Sequence, residues 1–117
     1  WTKDQVAEFY YQNIHSQYWD KLNSLMTINL CLQHLQAAGQ PFLMTYMDEL
    51  LFEREFHCSP AIELLQDSVR PYLRNFDGEN FVDWSVKNGY PVSAQGRHPL
   101  EAAHQAAAHY VLDHNLV

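Results

Sequence analysis

The chain has 117 residues, of which 14 are acidic and 7 are Lys or Arg, giving a formal net charge of −7. That length fits one domain with one modest core, and a content of 47% hydrophobic and 14% aromatic residues excludes a disordered chain. The acidic balance speaks against nucleic acid, which needs a basic face, and against an anionic membrane surface, so neither is expected as a partner.

No apolar run approaches the roughly 18 residues of a membrane span, and no leader peptide is visible. Cys31 and Cys58 are too few for a disulfide scaffold. They read as reduced thiols, which suits a cytoplasmic or virion-associated protein. The first residue is Trp1, as expected of a processed chain or a segment of something longer.

Thr2 to Gln5 reads as a capping box, with Thr2 as cap and Gln5 reaching back. An aromatic-rich helix with Phe9, Tyr10 and Tyr11 follows over 6–14. The pattern restarts near Ser16. Leu22, Leu25, Ile28, Cys31 or Leu32, and Leu35 then recur at three-and-four spacing. This predicts an amphipathic helix over 17–38, closed by Gly39. Gln40-Pro41 breaks the chain. The apolar run 42–47, bounded in this way, reads as a buried parallel strand. Asp48 lies at its carboxyl end, where open α/β sheets carry their functional crevice. Its ordinary role would be to cap the next turn.

Residues 50–57 are ambiguous, a helical turn at most, and Glu53, Arg54 and Glu55 read as a solvated face. Ser59-Pro60 opens a helix over 61–69 with Ile62, Leu65 and Val69 inward, and Pro71 interrupts it. Residues 75–80 form a polar turn. A short helix over 81–88, ending at Gly89, is preferred to a strand at 81–84. A loop over 90–96 leads to a last helix over 99–113. The fold class expected is therefore α/β, helix-rich, with a small parallel sheet containing 41–47, built as one domain or as the C-terminal part of one over 1–117.

The run His98-Pro99-Leu100-Glu101-Ala102-Ala103-His104 stands out. Pro99 is suited to the first helical position, which would make His98 the N-cap and put Glu101 at the third helical position, where a carboxylate favours the positive helix end. An imidazole held at a helix mouth is a candidate catalytic base and equally an ordinary cap. His104, beside the stripe Leu100, Ala103, Ala107, Tyr110 and Val111, is a packed histidine or a helper to the same site.

A metal site is the rival reading of seven histidines. The C-terminal set His98, His104, His109 and His114 is spaced by six, five and five, and five residues turn about 140° around a helix, so these do not share a face. Cys31 and His34, one turn apart, with His57 and Cys58, are the better zinc set, although Cys31 also fits the core stripe. The aromatic residues lie at helical spacing and read as core rather than as a carbohydrate platform.

His98-Pro99 followed by Ala103-His104 resembles the last conserved block of the SGNH (GDSL-type) hydrolases, esterases on a flavodoxin-like three-layer α/β fold. The Tyr46-Met47-Asp48 end and the Trp84, Tyr90-Pro91, His98-Pro99 run resemble a divergent phage or marine-bacterial branch of them. The resemblance covers the C-terminal half to two-thirds of such a domain. It implies that His98 is the general base for a serine nucleophile, acting without a cofactor on a small ester or acylated glycan. The triad acid should stand three residues before His98, where this chain has Gln95. Asp48 or Asp83 would have to substitute. The Gly-Asp-Ser and Gly-x-Asn-Asp blocks do not occur in the chain. The nucleophile would then come from another segment or chain, and the chain alone is expected to be inactive. The alternative is a catalytically dead relative used for binding or structure, for example in a virus particle. A small metal-binding module is a third reading.

Overall fold

The computed structural model describes residues 1–116. Five α-helices follow one another: α1 Lys3–Asn13, α2 Gln17–Ala37, α3 Pro60–Val69, α4 Phe81–Lys87 and α5 Glu101–Asp113. A single 3-10 turn, Arg70–Tyr72, follows α3. Each of the first four helices starts where its cap predicts. Thr2 and Gln5 form the reciprocal capping box, and Ser16, Ser59 and Asn80 accept from the backbone of α2, α3 and α4. No helix among the described residues is long and apolar enough to cross a membrane.

The expected parallel sheet is absent, and with it the three-layer α/β fold. Among the described residues there are only isolated bridges, Met44 with Leu73 in parallel and two antiparallel contacts, Phe76 with Glu79 and Val92 with Pro99. The apolar run 42–47 is extended, but no other segment runs alongside it for more than one residue. Its apolar character has a different cause. Phe42, Met44 and Tyr46 pack on a core of Leu25, Leu32, Phe52, Ile62 and Val69, between α2 and α3. Leu43, Thr45 and Met47 turn the other way, toward Phe76, Phe81 and α5. One face of the segment is packed on helices and the other lines an open apolar cleft, so the run carries the signal of a buried strand without neighbouring strands.

The second core is aromatic. Phe76 lies 5.0 Å from Trp84, 5.3 Å from Tyr110 and 5.7 Å from Phe81, ring centre to ring centre, and Ala103 lets α5 approach them. Asp77 ties the group together. Its carboxylate accepts from Trp84 Nε1 at 3.2 Å and from the Tyr110 hydroxyl at 3.1 Å. The two cores meet through the extended segment, since Phe81 N–H donates to Tyr46 O at 3.0 Å and Val82 N–H to Met47 O at 2.9 Å. α1 stands apart: all of its residues are exposed, Phe9, Tyr10 and Tyr11 included. Cys31, placed in the core stripe by its spacing, is exposed, and Leu32 takes the buried position instead.

Residues 53–55 are not merely a solvated face. The loop they belong to has no ladder to satisfy its main chain, and side chains do so instead. Lys21 of α2 is only 6% exposed. Its Nζ donates to Glu53 Oε1 at 2.7 Å, to Glu53 O at 2.8 Å and to Phe56 O at 3.0 Å. The other carboxylate oxygen of Glu53 accepts from the backbone of Glu55 and Phe56. Arg54 reaches Gln66 at 2.9 Å and Asp67 at 2.6 Å. Buried Gln66 in turn donates to the carbonyls of Leu51 and Glu53. The hydrogen bond from Lys21, then those from the backbone, hold the Glu53 carboxyl down to about 2 from its usual 4.5.

A carboxylate depressed in this way stabilises the fold fully above its unfolded value and loses that contribution as pH falls toward about 2. Glu53→Gln should therefore lower the urea midpoint at neutral pH, and the gap to wild type should close on acidification; a gap independent of pH contradicts the assignment. Lys21→Ala leaves the Phe56 carbonyl and one Glu53 carboxylate oxygen without their donor and should cost on the order of 2 kcal/mol in urea unfolding.

Candidate functional site

The residues flagged in the sequence fall on two structures. His98 and Gln95 lie on a hairpin-like loop before α5. Asp48, Asp83 and His104 surround the point where the extended segment meets α4.

The loop is closed by its main chain. Ser93 N–H donates to His98 O at 2.8 Å, Leu100 N–H to Pro91 O at 3.0 Å, and Val92 bridges Pro99. Ser93 adds its side chain: the hydroxyl donates to Gln95 O at 2.6 Å and accepts from His98 N–H at 3.0 Å. Pro99 is buried and His98 is exposed. The imidazole is thus presented outward from a pinned backbone.

This arrangement corrects the expected cap. α5 begins at Glu101, with Leu100 as an extended N-cap residue that makes no side-chain cap bond. Glu101 is the first helical residue, not the third. Pro99 is held extended by its bridge to Val92, and the residue before a proline is itself biased toward extended backbone. Gln95 contributes its carbonyl to the turn rather than an amide to the imidazole. His98 forms no ion pair with a carboxylate among the described residues.

Neither candidate substitute acid is directed to His98. Asp48 accepts from Leu50 N–H at 2.9 Å and closes a local turn. Asp83 exchanges hydrogen bonds with Asn80, accepting from its amide at 2.8 Å while its own N–H donates to Asn80 Oδ1 at 2.9 Å, and so completes the start of α4. His104 packs its ring against Phe81 with centres 5.0 Å apart. It lines an open apolar cleft of about 560 Å³ together with Leu43, Thr45, Phe81 and Val111. Sequence reasoning missed this cleft, because it lies between segments some 60 residues apart in the chain.

Five of the six serines are committed elsewhere. Ser16 and Ser59 cap helices. The hydroxyls of Ser68, Ser85 and Ser93 donate to the carbonyls of Leu65, Phe81 and Gln95. Ser24 is exposed on α2, in the groove beside Lys21 and Glu53. The zinc set fails on geometry. Among the described residues no three of His, Cys, Asp and Glu lie close enough to hold a metal ion, so Cys31, His34, His57 and Cys58 do not converge.

Sequence reasoning also missed Gly96. A Cβ there would lie 3.0 Å from Cδ2 and Nε2 of His98, and its φ of +79° disfavours any side chain. Gly96 therefore sets where the imidazole rests. Comparison with protein-family models, curated proteins and solved structures finds no match to this chain.

Gly96→Ala should displace the His98 ring and cost about 1 kcal/mol or more of stability. The check is the NMR shifts of the His98 ring alongside a denaturation curve. Unmoved ring shifts would show that Gly96 does not position the imidazole.

Proposed function

We propose that this chain supplies the histidine-bearing part of a serine acyl-ester hydrolase site, with His98 as general base for a serine carried by another segment or chain. The observation that carries the reading is the presentation of His98. Its main chain is fixed by Ser93, its neighbour Pro99 is buried, and its ring is open to an incoming group. The resemblance of the His98-Pro99 and His104 block to SGNH hydrolases gives the reaction class: proton abstraction from a serine hydroxyl, then attack on an ester carbonyl. No carboxylate stands on His98 among the described residues. The stabilising acid would therefore also come from the segment that brings the serine. A small ester or acylated glycan is the substrate class. The two free thiols, Cys31 and Cys58, are compatible with a reducing compartment.

A second reading is favoured by one observation, the exposed aromatic surface of α1 and of Trp1 just before it. Trp1 is 88% and Tyr11 66% exposed, which suits a non-catalytic protein used for binding or assembly.

The isolated chain should neither hydrolyse a p-nitrophenyl ester nor label with a fluorophosphonate. The polypeptide as its gene encodes it, alone or in its native assembly, should label. His98→Gln should slow that labelling about 100-fold or more while the fold is retained. Labelling of the isolated chain, or a His98→Gln variant that labels at the wild-type rate, contradicts the proposal. Complete absence of labelling in the native assembly favours the second reading.

A further inference from the structure

Helix α1 is the least attached element of the chain, and none of its residues is buried. Its contacts are local. Thr2 and Gln5 form the capping box, Gln12 donates to Glu8 at 3.0 Å, and Trp1 meets Phe9 with ring centres 5.7 Å apart. Among the described residues, no hydrogen bond, ion pair or ring contact joins residues 1–14 to anything beyond His15. The helix has 11 residues, and an isolated helix shorter than about 12–15 is marginal in water. Burial of an apolar face normally holds such a helix. Val6, Phe9, Tyr10 and Ile14 form that face by their three-and-four spacing, yet they are 41% to 60% exposed. Burial therefore does not hold α1.

His15 supplies the attachment. Its N–H, like that of Ile14, donates to Tyr10 O at 2.8 Å and closes the last turn of α1. Its ring centre lies 6.1 Å from that of Tyr10 and 5.2 Å from that of Tyr11. Its Nε2 meets Asp20 Oδ2, in the first turn of α2, at 2.6 Å. One side chain thus touches both the end of α1 and the start of α2.

We propose that α1 is a conditionally folded arm, and that the His15–Asp20 contact is the clasp that sets how much of the time it is helical. Magnitudes decide this. An exposed pair of this kind shifts an equilibrium by up to about fivefold. For an element packed into a core, that factor changes nothing. For a short helix whose own equilibrium lies near unity, it decides the state. Neither core contains a residue of α1, so the arm can lose and regain its helix while both stay folded. The clasp thereby governs when Val6, Phe9, Tyr10 and Ile14 are displayed as one helical surface. It is independent of the role given to His98.

NMR of the 117-residue chain reads the arm and the cores together. The amides of α1 should exchange at least about 100-fold faster than those of Leu25 and Leu32 in α2. Asp20→Ala lies outside α1 and removes the clasp without changing the arm. By Cα shifts it should lower the helix-to-coil ratio of α1 about two- to fivefold and leave α3, α4 and α5 unchanged. His15→Ala should do at least as much. The double variant should go no further than His15→Ala alone, because both substitutions break one contact. Amides of α1 that exchange only together with the cores overturn the proposal. So does an Asp20→Ala chain whose α1 is unchanged, one in which α3–α5 loosen along with α1, or a double variant in which the two effects add.

Discussion

One extended segment lying between two helical cores is the constraint on which the rest of this structure depends. Residues 42–47 send Phe42, Met44 and Tyr46 onto the aliphatic core, while Leu43, Thr45 and Met47 face an open cleft beside the aromatic one. The main chain of the same segment fixes the register between them, because the carbonyls of Tyr46 and Met47 receive the N–H groups of Phe81 and Val82 at the start of α4. A helix start has free N–H groups that need acceptors, and here the segment supplies two of them. Asn80 and Asp83 then complete the cap. The arrangement is economical but open: a radius of gyration of 17.1 Å exceeds the roughly 13 Å expected of a closed domain of this length.

The second constraint is electrostatic. The stretch after the extended segment has no regular structure, so its carbonyls must find donors elsewhere. Lys21 brings one charge into three bonds, with Glu53 as counter-ion and Gln66 filling the remaining sites. Removing one partner would leave the others buried without a match, which is why such groups act as a unit. This latch holds Phe52 over Leu25 and Ile62, and so fixes one end of the aliphatic core.

Local signals were readable and long-range ones were not. Caps at Thr2 and Ser59, the restart of the pattern near Ser16, and the three-and-four spacing of Leu22, Leu25 and Leu32 located helices within a few residues. The apolar run 42–47 was read as a buried parallel strand; the segment is extended, but its apolar run says nothing about how many strands lie beside it, and the inferred sheet does not exist. Pro99 was misread because proline suits both the first turn of a helix and an extended bridge; the acceptor for Leu100 N–H, the carbonyl of Pro91, decides between them. Lys21 and Glu53 are 32 residues apart and carried no sign of their pairing. Within the candidate site, the exposure of His98 was foreseen, whereas the dependence on Ser93 and Gly96 appears only once the loop is closed. Asp48 and Asp83 turn out to serve turns and caps, the ordinary use of short acids.

Amide hydrogen exchange across 40–85 tests the central claim most directly, since it reads which edge of the extended segment is in use. The N–H groups of Arg74, Phe81 and Val82, which donate to Met44, Tyr46 and Met47, should be protected. Those of Leu43 and Thr45, which have no backbone acceptor among the described residues, should exchange freely. Uniform exchange along 42–47 and its partners, or protection of Leu43 and Thr45, would contradict the account.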